Sequence, residues 1–196
     1  MVTVHLRDIS IEVVEAWRSA FAGVGEVQVS HGSILDERAD AIISPANSFG
    51  FMDGGIDLHY ARFFGWQIET ELQERLAAHH YGELPVGQAV ILPTGHPELR
   101  YLVSAPTMRV PSRIDGTPNV YLAFRAALIA IQVHNTSEAT PIASLLAPGM
   151  GTGIGAVPPR QAARQMRAAY DAIIGGHARR SRTARAILGE HHDLLA

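Results

Sequence analysis

Ala41-Ile-Ile-Ser-Pro-Ala-Asn47-Ser-Phe-Gly-Phe-Met-Asp53-Gly-Gly-Ile-Asp57 is the stretch around which the rest of the chain can be placed. Asp40 to Ile43 opens it as a short apolar run, the pattern of a buried strand. Pro45 ends that strand, because proline has no N–H to give to a ladder. A loop with glycines at 50, 54 and 55 follows, and Gly54-Gly55 lets the backbone take positive φ and come close to a ligand. Ile56 then opens a helix, with Asp57 in its first turn. A strand end, a glycine loop and a helix N-terminus make an anion site from backbone N–H groups and the helix dipole. Asn47 and Asp57 flank it: one can orient a polar group, the other can take a proton. The plain alternative is a capped turn in which Asp57 serves only the helix dipole.

A second stretch repeats the arrangement. Pro141 to Ala147 reads as a buried strand running into Pro148-Gly149-Met150-Gly151-Thr152-Gly153-Ile154-Gly155-Ala-Val-Pro158. Four glycines in seven residues, with Thr152 among them, suit a nest of N–H donors for a diphosphate. A helix begins near Pro158 or Pro159. One glycine loop is weak information; two, each after a buried strand and before a helix, are much stronger.

These two stretches resemble the macrodomain family, which binds ADP-ribose. The family has an Asn-Ala-Ala-Asn strand end, a glycine-rich loop, then Val-Asp at a helix start. Here Ser44-Pro-Ala-Asn47 is followed by Gly54-Gly55-Ile56-Asp57, with the second Asn falling on Asn47 and the Asp on Asp57. Gly151-Thr-Gly-Ile154 matches the family's second loop. There are departures. In His31-Gly-Ser-Ile-Leu35, Ser33 stands where the family carries an Asp that receives the adenine amino group, while Gly32 and Ile34 keep the backbone shape. Gly155 occupies the place of an aromatic that packs over the distal ribose, and the next Gly is Ala156. Ala61 stands where the family's hydrolases often have His. Phe51, Met52 and Asp53 replace the usual Leu and Gly, and Phe49 or Phe51 is a candidate substitute for the missing aromatic wall. Asp53 reads as a turn residue before the glycines; a pKa-raising effect on Asp57 is the alternative. His59 reads as a surface or core residue.

The resemblance implies a three-layer α/β/α fold with a mixed central sheet and ligand at the carboxyl ends of the strands. It implies ADP-ribose as ligand, with Ser33 and Ile34 toward the base, and Gly54, Gly55, Ile56 and the loop from Pro148 to Gly155 around the diphosphate. Asn47 and Asp57 then sit by the distal ribose. The leading reading is a hydrolase that removes mono-ADP-ribose from Glu- or Asp-linked proteins, with Asp57 activating water and Asn47 holding a ribose hydroxyl. A second is a reader that binds ADP-ribose without turnover. A third is a hydrolase of ADP-ribosylated nucleic acid, motivated by Arg160, Arg164, Arg167 and an arginine-rich tail, or of O-acetyl-ADP-ribose or ADP-ribose 1″-phosphate. No cofactor is implied.

The remaining sequence bounds these readings. The chain has 196 residues, 47% of them hydrophobic, enough for one domain with a sizeable core. The absence of cysteine removes thiol nucleophiles, disulfides and Cys-type zinc sites, and a cytoplasmic protein is the expectation. The start, Met1-Val-Thr-Val-His, has neither a basic n-region nor a long apolar h-region, so it is not read as a signal peptide. No apolar run reaches membrane-spanning length. The net charge of −3 gives no general attraction to nucleic acid. The ten histidines show no metal-ligand spacing; His79-His80, being adjacent, point to different sides of a helix.

Further strands are expected at Thr3 to Leu6, Glu26 to Ser30, Gln88 to Leu92 and Arg100 to Ala105. Helices are expected at Ile11 to Phe21, Ile56 to Gly65, Trp66 to His80, Asn119 to Val133 and Pro159 to Ile174. One domain is expected over 1–176, with the opening strand–helix–strand unit included, and 177–196 as a basic tail or short helix. The family's last strand is missing from the tail, and the opening unit is the candidate to fill its place in the sheet. Oligomeric state is not legible.

Overall fold

The computed structural model describes residues 2–176 and 183–196. Six strands form one sheet: β1 Thr3–Asp8, β2 Val27–His31, β3 Ala41–Ser44, β4 Val90–Pro93, β5 Tyr101–Ser104 and β6 Ser144–Ala147. The helices are α1 Ile11–Ala20, α2 Gly55–Phe64, α3 Gln67–His80, α4 Asn119–Ser137, α5 Pro159–Ile173 and α6 Ala184–Leu195. The strand order is β2-β1-β6-β3-β5-β4, parallel throughout except that β4 runs antiparallel to β5. This is the mixed sheet of a three-layer α/β/α domain.

Strand alternation builds the two faces. Ala41 and Ile43, with Val103, Leu145 and Ala147, pack against α1, α4 and α5 in one apolar cluster. Ile42, with Leu102 and Leu146, packs against α2 and α3 in the other. A strand covered on both faces needs apolar residues at every position, which is why β3 is an unbroken apolar run up to Ser44. Under β1 and β2 one face is instead polar. There His5 Nε2 lies 2.8 Å from Ser30 Oγ, and Arg7 donates to Ser30 Oγ at 2.7 Å while pairing with Glu37 at 3.0 Å.

The opening unit is built into the sheet, with β1 between β2 and β6. β1 pairs with β2 on one side and with β6 on the other, with Thr3 opposite Ser144 and Leu6 opposite Ala147. The last helix, α6, packs on α5. Buried Gln165 donates to Leu194 O at 2.8 Å and to Thr117 O at 2.8 Å, and accepts from Tyr121 N at 3.0 Å. The tail reading therefore resolves into a docked helix from Ala184, while residues 177–182 of the basic segment lie outside the described residues. No helix among the described residues is long and apolar enough to cross a membrane.

At the amino-terminal edge of the sheet, Asp40 ties three strands together. It accepts from Ala143 N at 2.7 Å, from Ser144 N at 2.9 Å and Oγ at 3.0 Å, and from Arg100 Nη2 at 2.5 Å. Burial disfavours its charge, yet these donors hold its carboxyl below the ordinary value. The clamp explains why β6 begins at Ser144 rather than at Pro141.

Candidate functional site

Three neighbouring parallel strands, β1, β6 and β3, end at Asp8, Ala147 and Ser44 on one edge of the sheet. The two glycine loops leave from the ends of β6 and β3, so the topology sets them side by side. A crevice between adjacent parallel strand ends is where an open α/β sheet takes a ligand.

The first loop is built by Asn47. Its Oδ1 accepts from Phe49 N at 3.0 Å and Phe51 N at 3.3 Å, and its Nδ2 donates to Phe51 O at 2.8 Å. One amide hydrogen remains free for another partner. The loop also continues the β3–β5 pairing past Pro45: Thr107 N donates to Ala46 O at 3.1 Å and Ser48 N to Arg109 O at 3.1 Å. Phe49 lies under Arg109, whose guanidinium carbon is 5.0 Å from the ring centroid. Phe51 is 53% exposed. Arg109 is itself held by both carboxylate oxygens of Glu83, and Arg113 by Asp115.

The loop delivers α2 with a bare start. Gly54 is the N-cap and supplies no side-chain hydrogen bond, so the N–H groups of the first turn point out uncapped. Asp57 does not point out with them. It is buried, and its Oδ1 accepts from Ser44 Oγ at 2.6 Å. Burial pushes its carboxyl up from 3.8 to about 7, with the Ser44 hydroxyl pulling the other way. Asp53, by contrast, is exposed in the turn, and the cause of the rise is burial rather than a second carboxylate. Beside Asp57, buried Tyr60 donates to Ile43 O at 3.1 Å. Ala61 is fully buried in the core under α2.

The second loop is a nest. Among the described residues, none of the backbone N–H groups from Met150 to Gly155 is used in a hydrogen bond within the protein. The loop is held by other groups. Gly149 N donates to Asp8 Oδ2 at 2.9 Å, Thr152 Oγ1 to Gly149 O at 3.2 Å, and Val157 N to Gly151 O at 3.0 Å.

Gly155 is not a simple deletion of an aromatic. A Cβ there would lie 2.5 Å from Gly151 O and 2.9 Å from Ile114 Cγ1, so the backbone and Ile114 fill that space themselves. Ala156 then takes φ +54, a conformation that favours glycine. Ile154 stands out from the loop, 56% exposed.

Ser33 and Ile34 lie at a separate end of the cleft. Ser33 Oγ caps the short 3₁₀ turn Ile34–Asp36 by accepting from Leu35 N at 3.3 Å. Both residues line a cavity of about 170 Å³ with Arg7, Asp8, Ile9, Leu35, Ile56, His59 and Tyr60. His59 is exposed at this rim.

The structure thus gathers Asn47, Gly54, Gly55, Ile56, Asp57 and the loop from Pro148 to Gly155 at one sheet edge, with Ser33 and Ile34 beside them. Sequence reasoning missed Ser44 as the partner of Asp57 and Asp8 as the acceptor that holds Gly149 N. A hydroxyl in a strand otherwise apolar on both faces was the available signal for Ser44, because a buried polar group needs a partner. The arginines on α5 go elsewhere. Arg167 pairs with Asp171 at 2.8 Å and donates to Ala20 O at 2.8 Å, and Arg160 and Arg164 line a groove against α1.

A family model described as "Macro domain" matches residues 43–166. An uncharacterized protein of Aquifex aeolicus is 38% identical over 72% of this chain and 78% of its own length. An uncharacterized protein of Aeropyrum pernix is 34% identical over 75% of this chain and 71% of its own. Among solved structures, the macrodomain of Mycobacterium tuberculosis DarG superposes with a TM-score of 0.59 at 22% identity, over 73% of this chain and 88% of its own. The Oceanobacillus iheyensis macrodomain with ADP gives 0.56 at 22% identity, over 70% and 72%.

Proposed function

The chain belongs to the macrodomain family, and from that premise we propose that it binds ADP-ribose between its two glycine loops and hydrolyses mono-ADP-ribose from modified proteins. The diphosphate would take the unused N–H groups of residues 150–155 and the uncapped start of α2. Asn47, with one amide hydrogen free, would hold a ribose hydroxyl.

The observation that carries the hydrolytic reading is Asp57. A carboxyl whose pKa lies near 7 is present at neutral pH both as acid and as base, the condition for efficient proton transfer. Ser44 fixes its orientation. Asp57 would take the proton from a water attacking the anomeric carbon, as the bond to the carrier's carboxylate breaks. A carboxylate ester has a good leaving group, so this one base and the loop's fixed geometry suffice. We assign the carrier to protein rather than nucleic acid because Arg109, Arg113 and Arg167 are each already neutralised by a carboxylate. The lack of cysteine supports action in the cytoplasm.

The alternative of a reader rests on Gly155, where the loop backbone fills the place of an aromatic over the ribose. The test is release of ADP-ribose from a Glu-modified protein by wild type and Asp57→Asn, with ADP-ribose affinity measured by calorimetry alongside. Loss of release by about 10²–10⁴ with affinity kept supports the hydrolase. Full release by the variant removes Asp57 from the reaction. Binding without release by the wild type makes the protein a reader.

A further inference from the structure

The cavity beside Ser33 holds a carboxylate that the mechanism above does not use. Asp8 ends β1, the strand that the opening unit inserts next to β6. Its Oδ1 accepts from Ser10 N at 2.8 Å and its Oδ2 from Gly149 N at 2.9 Å. Two backbone donors fix both oxygens and leave further lone pairs open. Among the described residues no cation pairs with it: neighbouring Arg7 is spent on Ser33 O, Ser30 Oγ and Glu37. Asp8 therefore offers a pre-oriented, un-neutralised acceptor to whatever enters.

The cavity sets what that is. At about 170 Å³ it is close to the roughly 150 Å³ of an apolar cavity that takes a single benzene ring, so it suits one flat ring system. Ile9, Ile34, Leu35 and Ile56 give it apolar walls. Ser33 cannot substitute for a carboxylate here, because its hydroxyl already accepts from Leu35 N and is as able to donate as to accept.

We propose that Asp8 is the specificity-determining residue for the base: it accepts from an exocyclic amino group and so selects an amino-bearing purine over its oxo counterpart. This inference rests on the ADP-ribose reading above. It assigns base selection to the first strand of the chain, not to the loop after β2. An oxo group facing a carboxylate leaves both acceptors unpaired, which disfavours the wrong base as well as failing to favour it.

The test is calorimetric titration with ADP-ribose, with the hypoxanthine analogue in which the amino group is replaced by oxygen, and with the N6,N6-dimethyl analogue. Wild type is expected to prefer ADP-ribose over both by about tenfold or more, the worth of one hydrogen bond to a charged group. Asp8→Asn is expected to bring ADP-ribose and the hypoxanthine analogue within about threefold, since an amide can donate to the oxo group. Equal affinity of wild type for all three ligands overturns the inference and leaves ADP-ribose binding intact. Retention of the preference by Asp8→Asn also overturns it, as does its loss in Ser33→Ala alone. If Asp8→Asn does not fold, the dimethyl analogue on wild type decides. Absence of any binding by wild type removes the ADP-ribose reading itself, and this inference with it.

Discussion

Ser44 and Asp57, thirteen positions apart, meet through a 2.6 Å hydrogen bond at the floor of the cleft, and that single hydroxyl is what opposes burial in setting the acidity of Asp57. Removing it in Ser44→Ala leaves burial unopposed, and the carboxyl pKa moves higher still. Because Asp57 works as a base and must be deprotonated, the acidic limb of the pH–rate profile for ADP-ribose release is expected to shift to higher pH, with less activity at neutrality. A profile that keeps its limb would assign that limb to another group.

The same carboxyl couples stability to pH. Its unfolded value is 3.8 and its folded value about 7, so between these the native state holds a proton that the unfolded state has lost. Stability from this group is present below the unfolded value, falls as pH rises through the folded one, and is flat above. Asp57→Asn removes the dependence. Urea unfolding at about pH 4 and about pH 8 should show the variant gaining on wild type by on the order of a few kcal/mol at the higher pH. A constant difference between the two proteins would show that Asp57 is not buried in its charged form's disfavour.

Restoring bulk at the second loop should harm rather than help. In Gly155→Ala the new methyl meets the Gly151 carbonyl and Ile114, and the expected loss is about 1–3 kcal/mol with weaker nucleotide binding. Ala156→Gly relieves a left-handed alanine and is expected to raise stability by about 0.5–1 kcal/mol. Thermal unfolding of the two single variants reads both signs.

Gln165 should act as the latch of α6. Gln165→Leu orphans Tyr121 N and Thr117 O and leaves Leu194 O only the long 3.4 Å bond from Gln161 Nε2, at a cost of about 3 kcal/mol. Faster amide exchange over 184–195 than over α4 would locate the loss in the docked helix; uniform exchange would spread it over the whole domain.

The strands and both glycine loops were legible because burial on both faces writes an unbroken apolar run, and because a loop facing an anion has little use but glycine. Boundaries moved where one side chain decides them. Asp40 captures the N–H groups of Ala143 and Ser144 and so delays β6. The role of Asn47 was only half legible: an Asn after Pro-Ala can serve a ligand or its own loop, and most of its amide serves Phe49 and Phe51. A buried hydroxyl marked Ser44 as needing a partner, but which partner it and Asp8 find is set by the path of the fold, a relation that no local spacing encodes. Gly155 looked like an empty place, and only the path of the backbone shows it occupied.

The position of β1 has a consequence for how the chain is made. This strand is made shortly before β2, its neighbour on one side, but its other edge waits for Ser144 to Ala147, far later in the sequence. Until β6 emerges, the nascent sheet carries open hydrogen-bonding edges on strands that are interior in the finished fold. Such long-range closure slows folding. A chain halted before Ser144 lacks the strand that joins β1 to β3, and its fate is aggregation or removal rather than a smaller working domain.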